Sequence, residues 1–177
     1  MKAVKDMSVG ELAAFVATHL RSNGIDVVLS GGSCVTIYSH DKYVSRDLDF
    51  VHTWYSSKRE VQETMMELGF REEPAGFRNP ETELLIDIRP PPPAIGGERI
   101  EHFAEMTFTT GTLRLLSPTD CVKDRLTWYY HDGDRQGLAQ AQLVARTNDV
   151  DLDEIERWSV REGKSEEFQG IKELLVK

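Results

Sequence analysis

The chain has 177 residues, a formal net charge of −9 and 40% hydrophobic residues. This length allows one domain, or one domain with a small helical addition, and the apolar fraction is sufficient for a packed core. The acidic balance argues against broad, non-specific binding of nucleic acid, which needs a basic face. No apolar run reaches the roughly 18 residues of a membrane-spanning helix. The N-terminal segment lacks the continuous apolar stretch of a signal peptide, so we expect a cytoplasmic protein without a membrane partner.

The two cysteines, Cys34 and Cys121, lie far apart in the sequence. A disulfide between them stays open at this stage, but two free thiols are the expected state in a cytoplasmic protein. No cluster of cysteine and histidine has the spacing of zinc ligands. The cysteines therefore predict neither a disulfide framework nor a zinc site.

The first elements of the chain are predicted from caps and apolar spacing. Ser8 begins a capping-box pattern, apolar residues at helical spacing continue to Leu20, and Gly24 ends the helix. Residues 25–29 form a short apolar run that predicts a buried strand. A short helix over residues 33–40 is expected next, and its positive N-terminal dipole would favour an anion.

Strand patterns recur through the middle of the chain. They cover residues 43–52, 70–77, 83–89, 100–108 and 112–116. A second capping box at Ser57 begins a helix that Gly69 ends, and the last two strands are predicted to form a hairpin about Gly111. Residues 90–93 are four prolines, which cannot donate to a sheet. They predict a stiff extended segment that leaves the sheet, with a proline-rich ligand for another domain as the alternative.

The chain is predicted to be helical from residue 117 onward. Ser117 followed by Pro118 is typical of a helix N-terminus, and Gly133 lies in the break after this helix. Further helices are expected over residues 135–146, 151–161 and 165–176. The predicted fold class is therefore α+β, a mixed sheet flanked by helices. Residues 1–116 would form an α/β core, and residues 117–177 a helical portion packed on it as one compact unit.

Three aspartates are the first candidates for chemistry. Asp47 and Asp49 lie two residues apart on a predicted strand, so both carboxylates point to one face while Leu48 and Phe50 point to the core. Two carboxylates on one face repel each other unless a cation lies between them, and a divalent metal is the usual occupant. Asp87 interrupts an apolar strand, where an unpaired charge is costly. The alternative for the pair is a solvated strand edge.

Gly31, Gly32 and Ser33 follow the first predicted strand. Their bare backbone N–H groups and the serine hydroxyl suit phosphate oxygens. Taken alone, the tripeptide is equally consistent with an ordinary tight turn. Together with the paired acids it indicates metal-assisted chemistry on a phosphorylated substrate.

This order of motifs resembles the nucleotidyltransferase superfamily that contains DNA polymerase beta. Gly31-Gly32-Ser33, the Ser-Arg-Asp-Leu-Asp-Phe segment ending at Phe50, and the later Asp87 carry the likeness. Within the superfamily the chain looks most similar to small bacterial enzymes of the abortive-infection, toxin–antitoxin type. The likeness covers roughly residues 27–89 and extends weakly to about residue 146.

The resemblance implies transfer of a nucleoside monophosphate from a Mg-bound nucleoside triphosphate (NTP) to a hydroxyl group, with release of pyrophosphate. It implies that Asp47, Asp49 and Asp87 are catalytic and hold two Mg²⁺ ions. Asp87 would also accept the proton of the acceptor. The acceptor stays open between tRNA, a protein hydroxyl and a small molecule such as an aminoglycoside.

The resemblance also implies a set of nucleotide-binding residues. Gly31, Gly32 and Ser33 would bind the β- and γ-phosphates. A cation on the helix after the sheet would neutralise them, and the candidates are Lys123 and Arg125. These two stand about 160° apart on a helix, so only one can face the nucleotide. Arg125 is favoured because its face, between Cys121 and Tyr129, is expected to be partly buried, and because the family has its basic residue just before an apolar one, here Leu126. Arg46 and Arg89, which neighbour the acids, would either pair with them or contact phosphates.

Three other functions compete with this one. A non-catalytic interaction module of the same fold, for example one half of a toxin–antitoxin pair, would suit a basic partner because the chain is acidic. A haloacid-dehalogenase-type phosphatase is disfavoured, because Ser45 and Arg46 precede the acid pair where that motif needs a strongly apolar strand. A glycosyltransferase with paired aspartates is disfavoured by the short chain.

Overall fold

The computed structural model describes residues 2–176, and the elements below refer to that range. The helices are α1 Val9–Ser22, α2 Gly31–Tyr38, α3 Lys58–Glu67, α4 Pro118–Asp132, α5 Arg135–Thr147, α6 Leu152–Arg161 and α7 Ser165–Ile171. The strands are β1 Val27–Ser30, β2 Asp47–His52, β3 Arg71–Glu73, β4 Gly76–Arg78, β5 Leu85–Arg89, β6 Ala94–Ile95, β7 Glu98–Arg99, β8 Ala104–Phe108 and β9 Gly111–Leu115. The predicted α+β class is confirmed. None of these helices is both long and apolar enough to span a membrane.

Seven strands form one mixed sheet in the order β3-β4-β5-β2-β1-β9-β8. At its centre β2 pairs antiparallel with β1 and parallel with β5. The register sets Asp49 directly opposite Ser30 on one side and directly opposite Asp87 on the other. Strand pairing alone therefore brings together two of the acids that are distant in sequence.

The two faces of β2 have different surroundings. Leu48 and Phe50 are fully buried in the core, where α1 and α2 pack against the central strands. Asp47, Asp49 and Val51 alternate with them and point to the opposite face. That face is where chemistry is possible, because it is only partly covered by the segment after β5 and by the C-terminal helices.

The structure corrects two predicted boundaries near the acids. Helix α2 begins at Gly31 rather than at residue 33, so Gly31-Gly32-Ser33 is the first turn of a helix and not a separate turn. Strand β2 begins at Asp47 rather than at residue 43. The backbone N–H of Ser45 donates to the Thr36 hydroxyl at 2.9 Å, and this bond ties the preceding loop to α2 instead of to a neighbouring strand.

The prolines at 90–93 leave the sheet as predicted. The chain then forms a hairpin of two short strands, β6 and β7, each of two residues, which the sequence did not indicate. Its turn has Gly96 at a φ of 58°. The indole N–H of Trp158 in α6 donates to the carbonyl of Ile95 at 3.4 Å. Strands of two residues are too short to show an alternating pattern, which explains the omission.

Helices α4, α5 and α6 begin and end close to the predicted residues, whereas the helix predicted over residues 165–176 ends at Ile171 and continues as a 3-10 helix over Lys172–Leu175. The Ser117 hydroxyl accepts the Asp120 N–H, and Gly133 ends α4 at a φ of 66°. Helix α4 packs against α5 and α2. A Cβ at Gly137 would lie 2.7 Å from the carbonyl oxygen of Arg125, so only glycine permits this close approach of α5 to α4. The two cysteines are free and buried.

Candidate active site

Asp47 and Asp49 line one cavity of about 630 Å³, which we call the acid cavity. Its other walls come from the first turn of α2, the end of β5, the turn between β6 and β7, and the facing sides of α4 and α5. The lining residues that matter most for chemistry are Gly31, Gly32, Asp47, Asp49, Arg89 and Arg125. The central strands of the sheet, the N-terminus of α2 and the C-terminal helices therefore meet at this cavity.

Arg89 bridges two of the three acids. Its Nη2 lies 3.0 Å from Asp49 Oδ1, and its Nε lies 2.9 Å from Asp87 Oδ2. The two carboxylates are on paired residues of β2 and β5, and Arg89 follows Asp87 by two residues on the same face. Of the two alternatives for Arg89, the structure shows the pairing with carboxylates. Arg46 is exposed and has no acidic partner within residues 2–176.

Burial raises the pKa of Asp49 to about 6 from its usual 3.8. The Arg89 guanidinium opposes this shift, while the negative charges of Asp47 and Asp87 add to it. The Asp49 side chain is only 14% exposed. The Arg125 guanidinium also opposes the shift, so loss of hydration, and not the neighbouring charges, is its main cause.

Gly31 and Gly32 lie against the acids without room for a side chain. A Cβ at Gly31 would collide with Asp49 Oδ2, and Gly31 also has a φ of 70°. A Cβ at Gly32 would lie 2.9 Å from the Ser45 hydroxyl, which itself donates to Asp47 Oδ1 at 2.7 Å. The first turn of α2 therefore lies directly against Asp49 at Gly31, and against Asp47 through the Ser45 hydroxyl at Gly32.

Ser33 does not reach the acid cavity in this structure. Its side chain is fully buried, and its hydroxyl donates to the backbone carbonyl of Asp47. This hydrogen bond between Ser33 and Asp47 fixes the start of β2 relative to α2. The expected phosphate contact from the Ser33 side chain is thus replaced by a structural contact with the strand that carries the acids.

The two candidate cations on α4 lie in different places. Arg125 lines the acid cavity, and it donates to Asp124 at 2.6 Å and 3.1 Å and to the Gln140 side-chain oxygen at 3.2 Å. Lys123 does not line the acid cavity: it is 2% exposed and pairs with Asp120 at 2.8 Å and Glu154 at 3.0 Å. The structure brings only Arg125 to the acids.

Part of the cavity wall was not identified from the sequence. Trp128 on α4 and Gln140 on α5 line it, together with Asp124, Asp132 and Asp134. These residues lie on helices far along the chain from the acid motif. Their spacing along α4 is helical, but nothing local indicates that this side of the helix faces a cavity rather than solvent.

The acids provide the hard oxygen donors that Mg²⁺ prefers. Within residues 2–176, no three Asp, Glu, His or Cys side chains are already arranged to hold one ion. Instead the Arg89 guanidinium stands in as a cation between Asp49 and Asp87. A divalent ion at Asp49 and Asp87 would have to take the place of this guanidinium, and Asp47 lies on the same face of β2.

Comparison with known proteins identifies the class of fold. No family model matches the chain, and no curated protein sequence matches it. An antigenic nucleotidyltransferase-like protein from Paracoccidioides brasiliensis superposes with a TM-score of 0.56 at 13% identity, over 78% of this chain and 75% of that one. The antibiotic-resistance factor ANT(2″)-Ia, in its solution structure, gives 0.53 at 15% identity, over 93% and 95%. The chain has a nucleotidyltransferase-like fold.

Proposed function

We propose that the protein is a metal-dependent nucleotidyltransferase that transfers a nucleoside monophosphate from a Mg-bound NTP to an acceptor hydroxyl. The observation that carries this proposal is the placement of Asp47, Asp49 and Asp87 on one face of the sheet, where Asp47 and Asp49 line the same cavity as the first turn of α2 and Arg89 joins Asp49 to Asp87. The nucleotidyltransferase-like fold of the chain supports it.

The triphosphate would bind where α2 begins. The first N–H groups of a helix have no partner within the helix, and the helix dipole adds partial positive charge there. Gly31 and Gly32 leave these groups open to the acid cavity because they carry no side chain. Arg125 would neutralise charge on the phosphates from the α4 side, exchanging part of its pairing with Asp124 for a phosphate oxygen.

The chemistry is a substitution at the α-phosphorus. A bond forms between the acceptor oxygen and the α-phosphorus, and the bond to the bridging oxygen of pyrophosphate breaks. Asp87 takes the proton of the acceptor hydroxyl. Asp47, Asp49 and Asp87 would hold two Mg²⁺ ions, and these ions would neutralise the negative charge on the attacking and leaving oxygens. Arg89 must first release Asp49 and Asp87, which frees its guanidinium to contact phosphate.

A non-catalytic interaction module is the second candidate, for example one half of a toxin–antitoxin pair. The pairing of Arg89 with Asp49 and Asp87 favours it, because the protein then neutralises its own acids without a metal. The two candidates differ in one measurable property. Only the enzyme requires Mg²⁺-dependent binding of a nucleoside triphosphate.

Calorimetry with each of the four NTPs, with and without Mg²⁺, tests the proposal. We expect Mg²⁺-dependent binding that Asp49→Asn reduces by at least tenfold. Glu105→Gln is the matched control, because it removes an exposed carboxylate from the far edge strand β8. No binding of any Mg-NTP by the unmodified chain would favour the interaction module. Incubation of each labelled NTP with cell extract then identifies the acceptor.

A further inference from the structure

A second, smaller cavity adjoins the acid cavity on the same face of the sheet. We propose that it is the acceptor site, and that it takes a hydroxyl carried on a compact apolar group of about the size of one aromatic ring. This inference rests on the proposed function, since it assigns the second substrate of the same reaction. It also gives a role to the proline segment that follows β5.

The second cavity, which we call the valine–proline cavity, has a volume of about 310 Å³. The residues that line it alone are all apolar: Val28, Val51, Pro90, Pro92, Pro93 and Leu116. It shares Ser30, Arg89, Ala94 and Asp124 with the acid cavity. The two cavities therefore meet along a polar border, and Arg89 lies on that border.

Strand periodicity explains why the two cavities are neighbours. Asp49 and Val51 point to the same face of β2, and the register sets Ser30 opposite Asp49 and Val28 opposite Val51. The shared face of β1 and β2 is therefore polar at Ser30 and Asp49 and apolar two residues away, at Val28 and Val51. The prolines after Arg89 cover the apolar part. Because proline fixes its own φ, this cover is stiff, and the cavity is formed before any ligand arrives.

The direction of the reaction places the acceptor in this cavity. In an in-line displacement the attacking and leaving oxygens lie on opposite sides of the phosphorus. The leaving pyrophosphate would lie at Gly31 and Gly32, beyond the end of β1, and the phosphorus would lie near Asp49. The attacking oxygen then comes from the side of Val51, about 7 Å further along the strand. This is the position of the valine–proline cavity.

The size and lining define the chemical class of the acceptor. An apolar protein cavity of about 150 Å³ is large enough for benzene, so this one accommodates a single substituted ring and not a folded polymer end. A phosphodiester inside it would meet mainly apolar side chains, together with the Asp124 carboxylate and the Arg89 guanidinium, which already pairs with two acids, so its lost hydration would be poorly replaced. The class is therefore a phenol or a similar apolar alcohol, which a free small molecule or a tyrosine side chain can supply.

The first test measures binding of 4-methylphenol in the presence of a Mg-bound, non-hydrolysable NTP analogue, followed by NMR shifts of valine methyl groups. Val51→Leu and Val51→Phe fill the valine–proline cavity in two steps. Val44→Leu and Val44→Phe are matched controls, because Val44 is 61% exposed and lines a different cavity on the other side of Asp47. We expect Val51→Phe to weaken 4-methylphenol binding at least tenfold, with Val51→Leu intermediate.

The controls should bind 4-methylphenol within twofold of the unmodified protein, and all four variants should keep their affinity for the NTP analogue. That retained affinity also shows that the variants are folded. Unchanged 4-methylphenol binding in both Val51 variants, or its loss in Val44→Phe, overturns the assignment. If the unmodified chain binds no Mg-NTP, the proposed function fails; if it binds Mg-NTP but not 4-methylphenol, only the acceptor site fails.

The second test identifies the source of the hydroxyl. Labelled Mg-NTP is incubated with 4-methylphenol in one arm and with a short tyrosine-containing peptide in the other. Label in 4-methylphenol alone indicates a small free acceptor, and label in the peptide indicates a protein acceptor. In either arm we expect Val51→Phe to reduce labelling at least tenfold. Absence of label in both arms, with intact NTP binding, contradicts the inferred acceptor class.

Discussion

The guanidinium of Arg89 donates to Asp49 at 3.0 Å and at the same time holds Asp87 at 2.9 Å. A divalent ion bridging these carboxylates would need the same space. Arg89 is half exposed, so it can leave without opening the core. Cation binding and Arg89 pairing are thus competing states of one pair of acids.

Replacing Arg89 with glutamine should therefore strengthen binding of Mn²⁺, used as a spectroscopic substitute for Mg²⁺. We expect about tenfold tighter binding, which corresponds to about 1.4 kcal/mol. Electron paramagnetic resonance titration of free Mn²⁺ gives the affinity without any enzymatic assay. Arg46→Gln is the control, since it removes the same charge beside Asp47 but no ion pair. Equal or weaker Mn²⁺ binding by Arg89→Gln would show that Arg89 supports the cation site rather than competing for it.

The raised pKa of Asp49 predicts a pH-dependent stability. Because its folded-state pKa of about 6 exceeds the usual 3.8, the folded protein binds the extra proton between these values, and stability falls as pH rises through that window. Without metal, Asp49→Asn should therefore be more stable than the parent at pH 7, by about 1–3 kcal/mol, and equal to it below pH 4. Urea denaturation at pH 3.5, 5 and 7 measures this. A loss of stability at pH 7 would indicate that the pairing with Arg89 outweighs the burial of charge.

Arg125 and Lys123 should respond differently to truncation. Arg125→Ala should weaken Mg-NTP binding by about 1.5–3 kcal/mol, the value of a lost charged hydrogen bond. Lys123→Ala should leave that affinity nearly unchanged but lower the free energy of unfolding by about 3 kcal/mol, since Asp120 and Glu154 lose their shared partner. Calorimetry and urea denaturation on both variants separate the effects. The reverse pattern of affinities would mean that Lys123, not Arg125, serves the nucleotide.

Gly31→Ala should remove Mg-NTP binding, because the added methyl group collides with Asp49 and displaces either the acid or the first turn of α2. Gly24→Ala is a matched control for backbone strain: Gly24 has a φ of 78°, and a Cβ there meets nothing within 4 Å. Both substitutions should cost about 1–2 kcal/mol of stability for the left-handed conformation, and Gly31→Ala should cost more because of its collision with Asp49. Only Gly31→Ala should affect the NTP. Comparable NTP affinity in the two variants would contradict direct use of this turn.

The sequence predicted the elements that depend on local chemistry. Capping residues such as Ser8, Ser57 and Ser117 marked helix starts that the structure confirms, and alternation along β2 separated the acids from the core residues. The nucleotidyltransferase-like fold followed from the order of the motifs. The division at residue 116 and the cytoplasmic location stay predictions.

Other features depend on contacts between distant parts of the chain. The pairing of Arg89 with Asp49 requires the parallel register of β2 and β5, which no local pattern encodes. Ser33 has the residue type expected of a phosphate ligand, yet the position of β2 gives its hydroxyl a backbone carbonyl to bind. Lys123 and Arg125 are two residues apart, and only the packing of α6 and α5 against α4 decides which of them is enclosed by acids.

Hydrogen bonds hold the C-terminal end of helix α2, which is the end away from the acids. The carbonyl of Tyr38 accepts hydrogen bonds from Thr147 at 2.8 Å and from Asn148 at 3.0 Å, both at the end of α5. The Tyr38 hydroxyl in turn donates to Leu116 at 2.7 Å. A short helix held in this way cannot slide along its axis without breaking all three bonds. We therefore expect the amide hydrogens of α2 and of the last turn of α5 to exchange with solvent in a single cooperative opening.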